Sequence, residues 1–471
     1  MGKLKILILF FVMTSCLSQE NKIILNIDKD ILSDKVDTYI QKYESLDIFS
    51  GAIVIAQNGE PLYSKAFGLA NRDRNQPNTL QTKYLIGSMN KDFTRVIVLQ
   101  LIAEDKLKWG DKMVTYLSDF NQQGASEITV RELADHTSGF GDYESWDYVE
   151  LPYPKKNMET ILEIAKNQEL LFQPGTASEY SNVGYVLLGA IIEKITGNSY
   201  IQNVRERIVE PLGMKNTYLN DILNKPDRTI GYMKTINGIE DTEIVLAEPR
   251  PDGGFWCTPS DLLLFYQNLF YGNKLIPENI RTTDSYFKRL IPSFDKANSI
   301  EYLAGGTNGH NSVIAQFLKE NISIIVLANM DEPVAEKVAD GIVDILKGNE
   351  PPAPKLPALL ASYDAYKTKG ITYLKDNFEE ITSNFYPNDP KDGILNNLGY
   401  QLMGDGKLEE ALDILKLNTE LFPEVANCWD SYGEILLKKD DNKAALEAYK
   451  KALSINPDLP SAQEMVKELS N

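Results

Sequence analysis

Three Ser-x-x-Lys pairs occur in the chain: Ser88/Lys91, Ser285/Lys288 and Ser293/Lys296. On a helix this spacing sets a hydroxyl and an amine one turn apart on the same face. The amine can then take the serine proton, provided burial or a cationic neighbour lowers its pKa. Context separates the three. Ser88 follows Leu85-Ile86-Gly87 and opens a run with the pattern of a buried helix, through Phe93, Val96, Ile97, Val98, Leu101 and Ile102. A serine at a helix N-terminus also meets free backbone N–H groups and the positive end of the dipole, both suited to a developing oxyanion. The other two pairs sit among Arg281, Lys288, Arg289 and Pro292, a solvated stretch. Taken alone, Ser88 reads equally well as a plain N-cap.

A second element favours the nucleophile. Tyr180-Ser181-Asn182 lies between Pro174-Gly175 and an apolar helix expected over 183–191. A phenol beside an ammonium can shuttle a proton from nucleophile to leaving group. An amide two residues on can donate to a substrate carbonyl and to the surroundings of the lysine.

These residues need a scaffold, and composition narrows which. The chain has 471 residues, enough for two or three domains, with 43% hydrophobic content and a formal net charge of -19. That balance argues against nucleic acid or anionic lipid as a ligand, since phosphate binding needs clustered positive charge. Two histidines and three cysteines leave little room for a multi-ligand zinc site or a disulfide framework. The start reads as an export signal: Lys3 and Lys5, then the apolar run 6–13, ILILFFVM, too short to span a bilayer. Residues 13–16 resemble a loose lipoprotein box that would lipidate Cys16, and cleavage after Ser18 fits about as well. The expectation is an exported chain, periplasmic or outer-membrane-associated, with no transmembrane span once the signal peptide at 1–18 is removed.

Domain limits follow from local chemistry. Residues 52–68, AIVIAQ-NG-EPLYSKAFG, read as a hairpin around Asn58-Gly59. Further strands are expected at 302–306, 312–319 and 322–328, separated by turns at Asn308-Gly309 and Glu320-Asn321. Strands at both ends and a mostly helical middle predict an α/β (α+β) domain over 32–347, an antiparallel sheet flanked by helices with a helical insertion. A linker rich in proline, with Pro351, Pro352, Pro354 and Pro357, covers 348–358. Beyond it, over 359–471, Leu398-Gly399 recurs as Tyr432-Gly433, Ala411 as Ala445 and Pro423 as Pro457, each 34 positions on. That period resembles the all-α tetratricopeptide repeat. Such an array either binds a protein or peptide partner in its concave face or braces the preceding domain. Cys257 and Cys428 fall in different domains and read as small buried apolar residues.

Six landmarks follow in order: IGSMNKDFT (86–94), ADHTSGF (134–140), FQPGTASEYSNVGY (172–185), EPLGM (210–214), DGGFWCTPSDL (252–262) and LAGGTNGHNS (303–312). With them the chain resembles the serine β-lactamase and penicillin-recognising family, in the branch shared by class C β-lactamases, D-aminopeptidases, DD-peptidases and the esterases of that fold. The resemblance implies that Ser88 is acylated, Lys91 is its activating base and Tyr180 shares the proton transfers, activating water for deacylation. It implies that Asn182 positions substrate and Lys91, and that the strand holding Gly305 and Gly306 flanks the substrate. The N–H groups of Ser88 and Gly306 would form the oxyanion hole. It implies no metal and no cofactor, and a small-molecule or peptide substrate.

One departure stands out. The third motif of the family, Lys-Thr-Gly or His-x-Gly, aligns with Leu303-Ala304-Gly305. The cation and hydroxyl that would hold a substrate carboxylate are gone, and with them one charge that would depress the pKa of Lys91 or Tyr180. Arg250 and His310 are candidate replacements; His136 in the HTSG turn reads as structural and hydrogen-bonded. An exported esterase or amidase is therefore expected, against two rivals: a β-lactamase, DD-peptidase or D-aminopeptidase, and a weakly catalytic binding protein that uses its repeats.

Overall fold

The computed structural model describes residues 28–220, 222–331, 333–383 and 390–470. The leader, with Cys16 and both cleavage points, lies outside the described residues. Five strands build the main sheet: β1 (Gly51–Gln57), β2 (Glu60–Phe67), β3 (Ile300–Thr307), β4 (His310–Phe317) and β5 (Ile322–Ala328), in the order β3-β4-β5-β1-β2. All neighbours are antiparallel, and β1 pairs with β5 from Gly51↔Ala328 to Gln57↔Ile322. The first hairpin turns on Asn58 and Gly59, both in the left-handed region at φ 52° and 80°, the pairing that matches strand twist.

Every residue of β4 and β5 is buried, so these strands read as unbroken apolar runs and not as alternations. Both faces of the sheet are covered. Ala52, Val54, Ile325 and Leu327 join the same core as Phe93 and Phe265, whose rings stack at 3.9 Å. Helices α1 (Lys29–Ser45) and α2 (Val334–Leu346) pack together on the sheet, and Gly341 lets Tyr39 approach, since a Cβ there would lie 2.1 Å from its hydroxyl.

Between β2 and β3 the chain is helical, as expected, but it also forms short ribbons. Leu69–Asn71 pairs with Gln76–Pro77, and Trp256–Cys257 lies between Tyr84–Leu85 and Thr217–Tyr218. Strands of two or three residues carry no measurable alternation, so pattern alone does not reveal them. The pairing of Leu85 with Trp256 matters, because it leads the chain into Ser88.

The described chain forms two compact units, one ending at Ala353 apart from a small excursion at Thr235–Asn237, the other continuing from Pro354. The described elements of this unit from residue 358 on are all helices, from Ala358–Lys369 to Pro460–Leu469. Here the 34-residue period acquires a packing basis. A Cβ at Gly399 would lie 2.4 Å from Leu415, and one at Gly433 would lie 2.9 Å from Tyr449, the same two helix positions one period on. Ala411 and Ala445 are both fully buried. Cys257 and Cys428 are free and buried. No helix among the described residues is long and apolar enough to cross a membrane.

Candidate active site

Tyr84–Leu85 runs into a single 3-10 turn, Gly87–Met89, and then into helix Asn90–Ala103. Gly87 takes φ +51°, and a Cβ there would lie 2.3 Å from the amide nitrogen of Gly306. A Cβ at Gly305 would lie 2.3 Å from the Ile86 carbonyl oxygen and 2.5 Å from the Ser88 nitrogen. Two glycines thus let β3 press directly on the turn that carries Ser88. The hydroxyl of Ser312 locks this contact, at 2.9 Å from both the Ile86 and Gly305 carbonyls. Ser88 itself stays half-buried, within reach of a ligand.

One turn along, Lys91 is buried, with Nζ 3.0 Å from Ser88 Oγ, 2.6 Å from Asn182 Oδ1 and 3.0 Å from the Asp252 carbonyl oxygen. The Tyr180 hydroxyl lies 2.7 Å from Ser88 Oγ. Ser88, Lys91, Tyr180 and Asn182 therefore meet at one point. The motif around Tyr180 works because Ser181 is an N-cap: its Oγ accepts from the Gly184 N–H at 3.1 Å and donates to the Gly141 carbonyl at 3.0 Å. The cap makes Asn182 the first residue of helix Asn182–Thr196 and leaves Tyr180 on the extended approach to it.

Around this centre lie Asp142, Tyr143 and Asp252, which the sequence did not single out, together with Arg250. Asn182 Nδ2 donates to Asp142 Oδ2 at 2.7 Å, so the two ends of its amide join a lysine to a carboxylate. Asp252 accepts from the Tyr143 hydroxyl at 2.7 Å and from Arg250 Nε at 3.3 Å, while its own carbonyl faces Lys91. Burial penalises the Asp252 carboxylate, but Arg250 and Lys91 outweigh that and hold its pKa below the ordinary range. Burial likewise disfavours the Lys91 ammonium, yet Tyr180, Asp252 and Asp142 facing it leave its pKa above that of an ordinary lysine. The direction follows because acidic partners outnumber the cations around it. The only trace of these partners in the sequence was their place inside or beside the landmarks ADHTSGF and DGGFWCTPSDL.

The candidate replacements for the missing cation are corrected. Arg250 is buried and engaged by Asp252, by the Tyr143 hydroxyl at 2.8 Å and by the Glu248 carbonyl, so its charge is met within the protein. His310 is 1% exposed and packs edge-on against Trp256, ring centroids 5.2 Å apart; burial and Arg228 push its pKa down to about 3. It is a neutral core residue. On β3, Leu303 and Gly305 share one face; Leu303 packs on the core, Ala304 is exposed and Gly305 abuts Ser88. The register thus sets Leu303 on the face of the strand that turns towards the Ser88 helix, two residues from the nucleophile turn.

A hydroxyl within hydrogen-bonding distance of an amine and a phenol, backed by the amides of a tight turn and a pressed strand, is an arrangement for acyl transfer. Residues 36–347 match the family model described as Beta-lactamase. The chain belongs to the β-lactamase family of serine hydrolases. Among relatives of this family it is 28% identical over 341 residues to Penicillin-binding protein 4* of Bacillus subtilis (strain 168), covering 66% of this chain and 75% of that protein. It is also 28% identical over 334 residues to Protein flp of Staphylococcus aureus (strain MW2), covering 65% of each, so the match spans just under two thirds of that relative. The β-lactamase-like fold is shared with the solved structure of EstCE1, a hydrolase with promiscuous acyltransferase activity, at a TM-score of 0.57 and 21% identity over 68% of this chain and 99% of that one.

Proposed function

We propose that this protein hydrolyses an ester or amide through a covalent acyl-Ser88 intermediate, without metal or cofactor. One observation carries the reading: Ser88 Oγ lies 2.7 Å from the Tyr180 hydroxyl and 3.0 Å from Lys91 Nζ. Lys91 and Tyr180 both reach Ser88 Oγ and act together as its proton acceptor. Deprotonated once, the pair takes the Ser88 proton as Oγ attacks the carbonyl carbon. The oxyanion is received by the amides of Ser88 and Gly306. The pair then gives its proton to the leaving group as the bond to it breaks. Water enters, loses a proton to the pair and attacks the acyl carbon, and Ser88 leaves with that proton. Asn182 keeps Lys91 aimed at Ser88, and Gly305 admits the strand that carries Gly306.

The substrate class is uncharged esters or amides. Leu303 and Ala304 offer no cation or hydroxyl to a substrate carboxylate, and that favours short-acyl esters over β-lactams. A β-lactam or D-Ala-D-Ala peptide is the second reading, favoured by the likeness to a penicillin-binding protein. Incubation with a fluorescent acyl-phosphonate, for parent and Ser88→Ala, tests the first point: labelling of the parent lost in the variant is expected, and equal labelling refutes it. A panel of p-nitrophenyl esters, nitrocefin and D-Ala-D-Ala peptides tests the second, with ester turnover expected to exceed nitrocefin turnover. Export rests on the leader at 1–18 alone, and mass spectrometry of the mature N-terminus reads whether Cys16 is lipidated. The helical pairs of 358–469 are proposed as tetratricopeptide repeats; a pull-down of peptide partners with the full chain separates a recognition array from a brace.

A further inference from the structure

His136 lies outside the group that touches Ser88, yet it meets the Tyr180 segment at three points. Its backbone carbonyl accepts from the Glu179 N–H at 3.0 Å. Its Nδ1 accepts from the Ser181 N–H at 3.1 Å, which fixes the neutral tautomer with the proton on Nε2. Its ring stacks on Tyr180, with centroids 4.6 Å apart and planes 26° from parallel. The Tyr185 ring lies 5.3 Å from it, tilted by 35°, and is itself anchored by a hydrogen bond from its hydroxyl to the Ala134 carbonyl at 3.1 Å. Lys91 Nζ faces both tyrosine rings, 5.0 Å from the Tyr180 centroid and 5.7 Å from that of Tyr185. Finally, His136 takes φ +57°, a left-handed conformation that side chains rarely adopt. Such a conformation persists where the surroundings over-determine it, and it clusters at functional sites.

We infer that His136 is a positioning residue for Tyr180: one imidazole, against Tyr185, sets the plane of the Tyr180 ring by stacking and its distance from Ser88 by holding the Ser181 N–H. The inference rests on the acyl-serine reading above. Burial, with Lys91 and Arg95 nearby, pushes the His136 pKa down to about 3 although Asp135 opposes this, so the ring stays uncharged beneath the proton-sharing pair. A cation there would compete with Lys91 for Tyr180; a neutral ring holds the phenol without doing so.

The test is a double-mutant cycle read on p-nitrophenyl acetate turnover and on the rate of phosphonate labelling. His136→Ala is expected to lower kcat by about 10²-fold, the scale for a displaced reacting group, with KM within about twofold. His136→Asn keeps an acceptor for Ser181 and tolerates the left-handed backbone. It is expected to recover about tenfold of that loss, and it carries the test if the alanine variant does not fold. In a Tyr180→Phe background, where the proton-carrying hydroxyl is already gone, either substitution is expected to cost less than about twofold. The same loss in both backgrounds overturns the inference, because a merely structural role adds to the Tyr180 defect. Ser88→Ala separates the levels: a Ser88→Ala protein that still reacts at the parent rate refutes the acyl-serine reading, whereas a required Ser88 with additive His136 effects refutes only the role of His136.

Discussion

On the helix side of the site, Ser88, Lys91, Tyr180 and Asn182 occupy one another and are held in turn by Asp142 and Asp252. The strand that presses on them supplies Leu303, Ala304, Gly305 and Gly306, none of which carries a charge or a hydroxyl. One side holds the chemistry in a closed network of polar contacts. The other supplies backbone and space. On the acyl-serine reading proposed above, the difference teaches that proton transfer and substrate selection are physically separable: the first depends on side chains spread over three segments, the second on what one strand does not offer.

The comparison can be broken from either side. The largest effect is expected from Ser88→Ala, a fall of about 10⁴-fold or more in ester turnover, read against the parent at equal enzyme. Next comes Gly305→Ala on the strand. The added carbon would lie 2.3 Å from the Ile86 carbonyl oxygen, so β3 must move off the nucleophile turn. A loss of about 10²–10³-fold in kcat follows from a displaced oxyanion donor, with the circular-dichroism spectrum retained; full activity would show that the glycine contact is not needed. Leu303→His sharpens the contrast with a smaller change. It puts a cation-capable group in place of Leu303, and turnover of a carboxylate-bearing substrate is expected to rise about tenfold while a neutral ester is unaffected. Equal changes on both substrates would mean that this position does not select.

The smallest effect lies away from the chemistry. His310 stays neutral in the folded protein until about pH 3, whereas in the unfolded chain it gains a proton near pH 6.5. Between those values the unfolded state binds the extra proton, so stability falls as pH falls, by up to about 1.4 kcal/mol per unit from this residue. His310→Phe removes that slope. Urea melts at pH 7 and pH 4.5 should lie closer together in the variant than in the parent, and an unchanged gap would sink the assignment.

Much of the centre was legible in the sequence, because Ser88 and Lys91, Tyr180 and Asn182, and Gly305 and Gly306 each form a short motif whose spacing is set by a single element. The hairpin at Asn58-Gly59 and the strands up to Ala328 were legible for the same reason, since turn residues and apolar runs are local. The partners of the centre were not. Asp142 reaches Asn182, and Asp252 reaches Lys91, across long stretches of chain. The protonation of Lys91 was accordingly not legible. Its charge depends on what faces it in space, and the local pattern showed only the serine three residues away. His136 was read as structural, and nothing in HTSG reveals that its ring lies under Tyr180.

The pairing of β1 with β5 has a temporal side as well. The second strand to be made as the chain emerges lies at one border of the sheet, and the first finds its central partner only when residues near Ala328 exist. Ser88 is likewise met by Lys91 and Tyr180 from earlier in the chain, whereas the contacts of Gly305 and Ser312 on its turn come from residues made later.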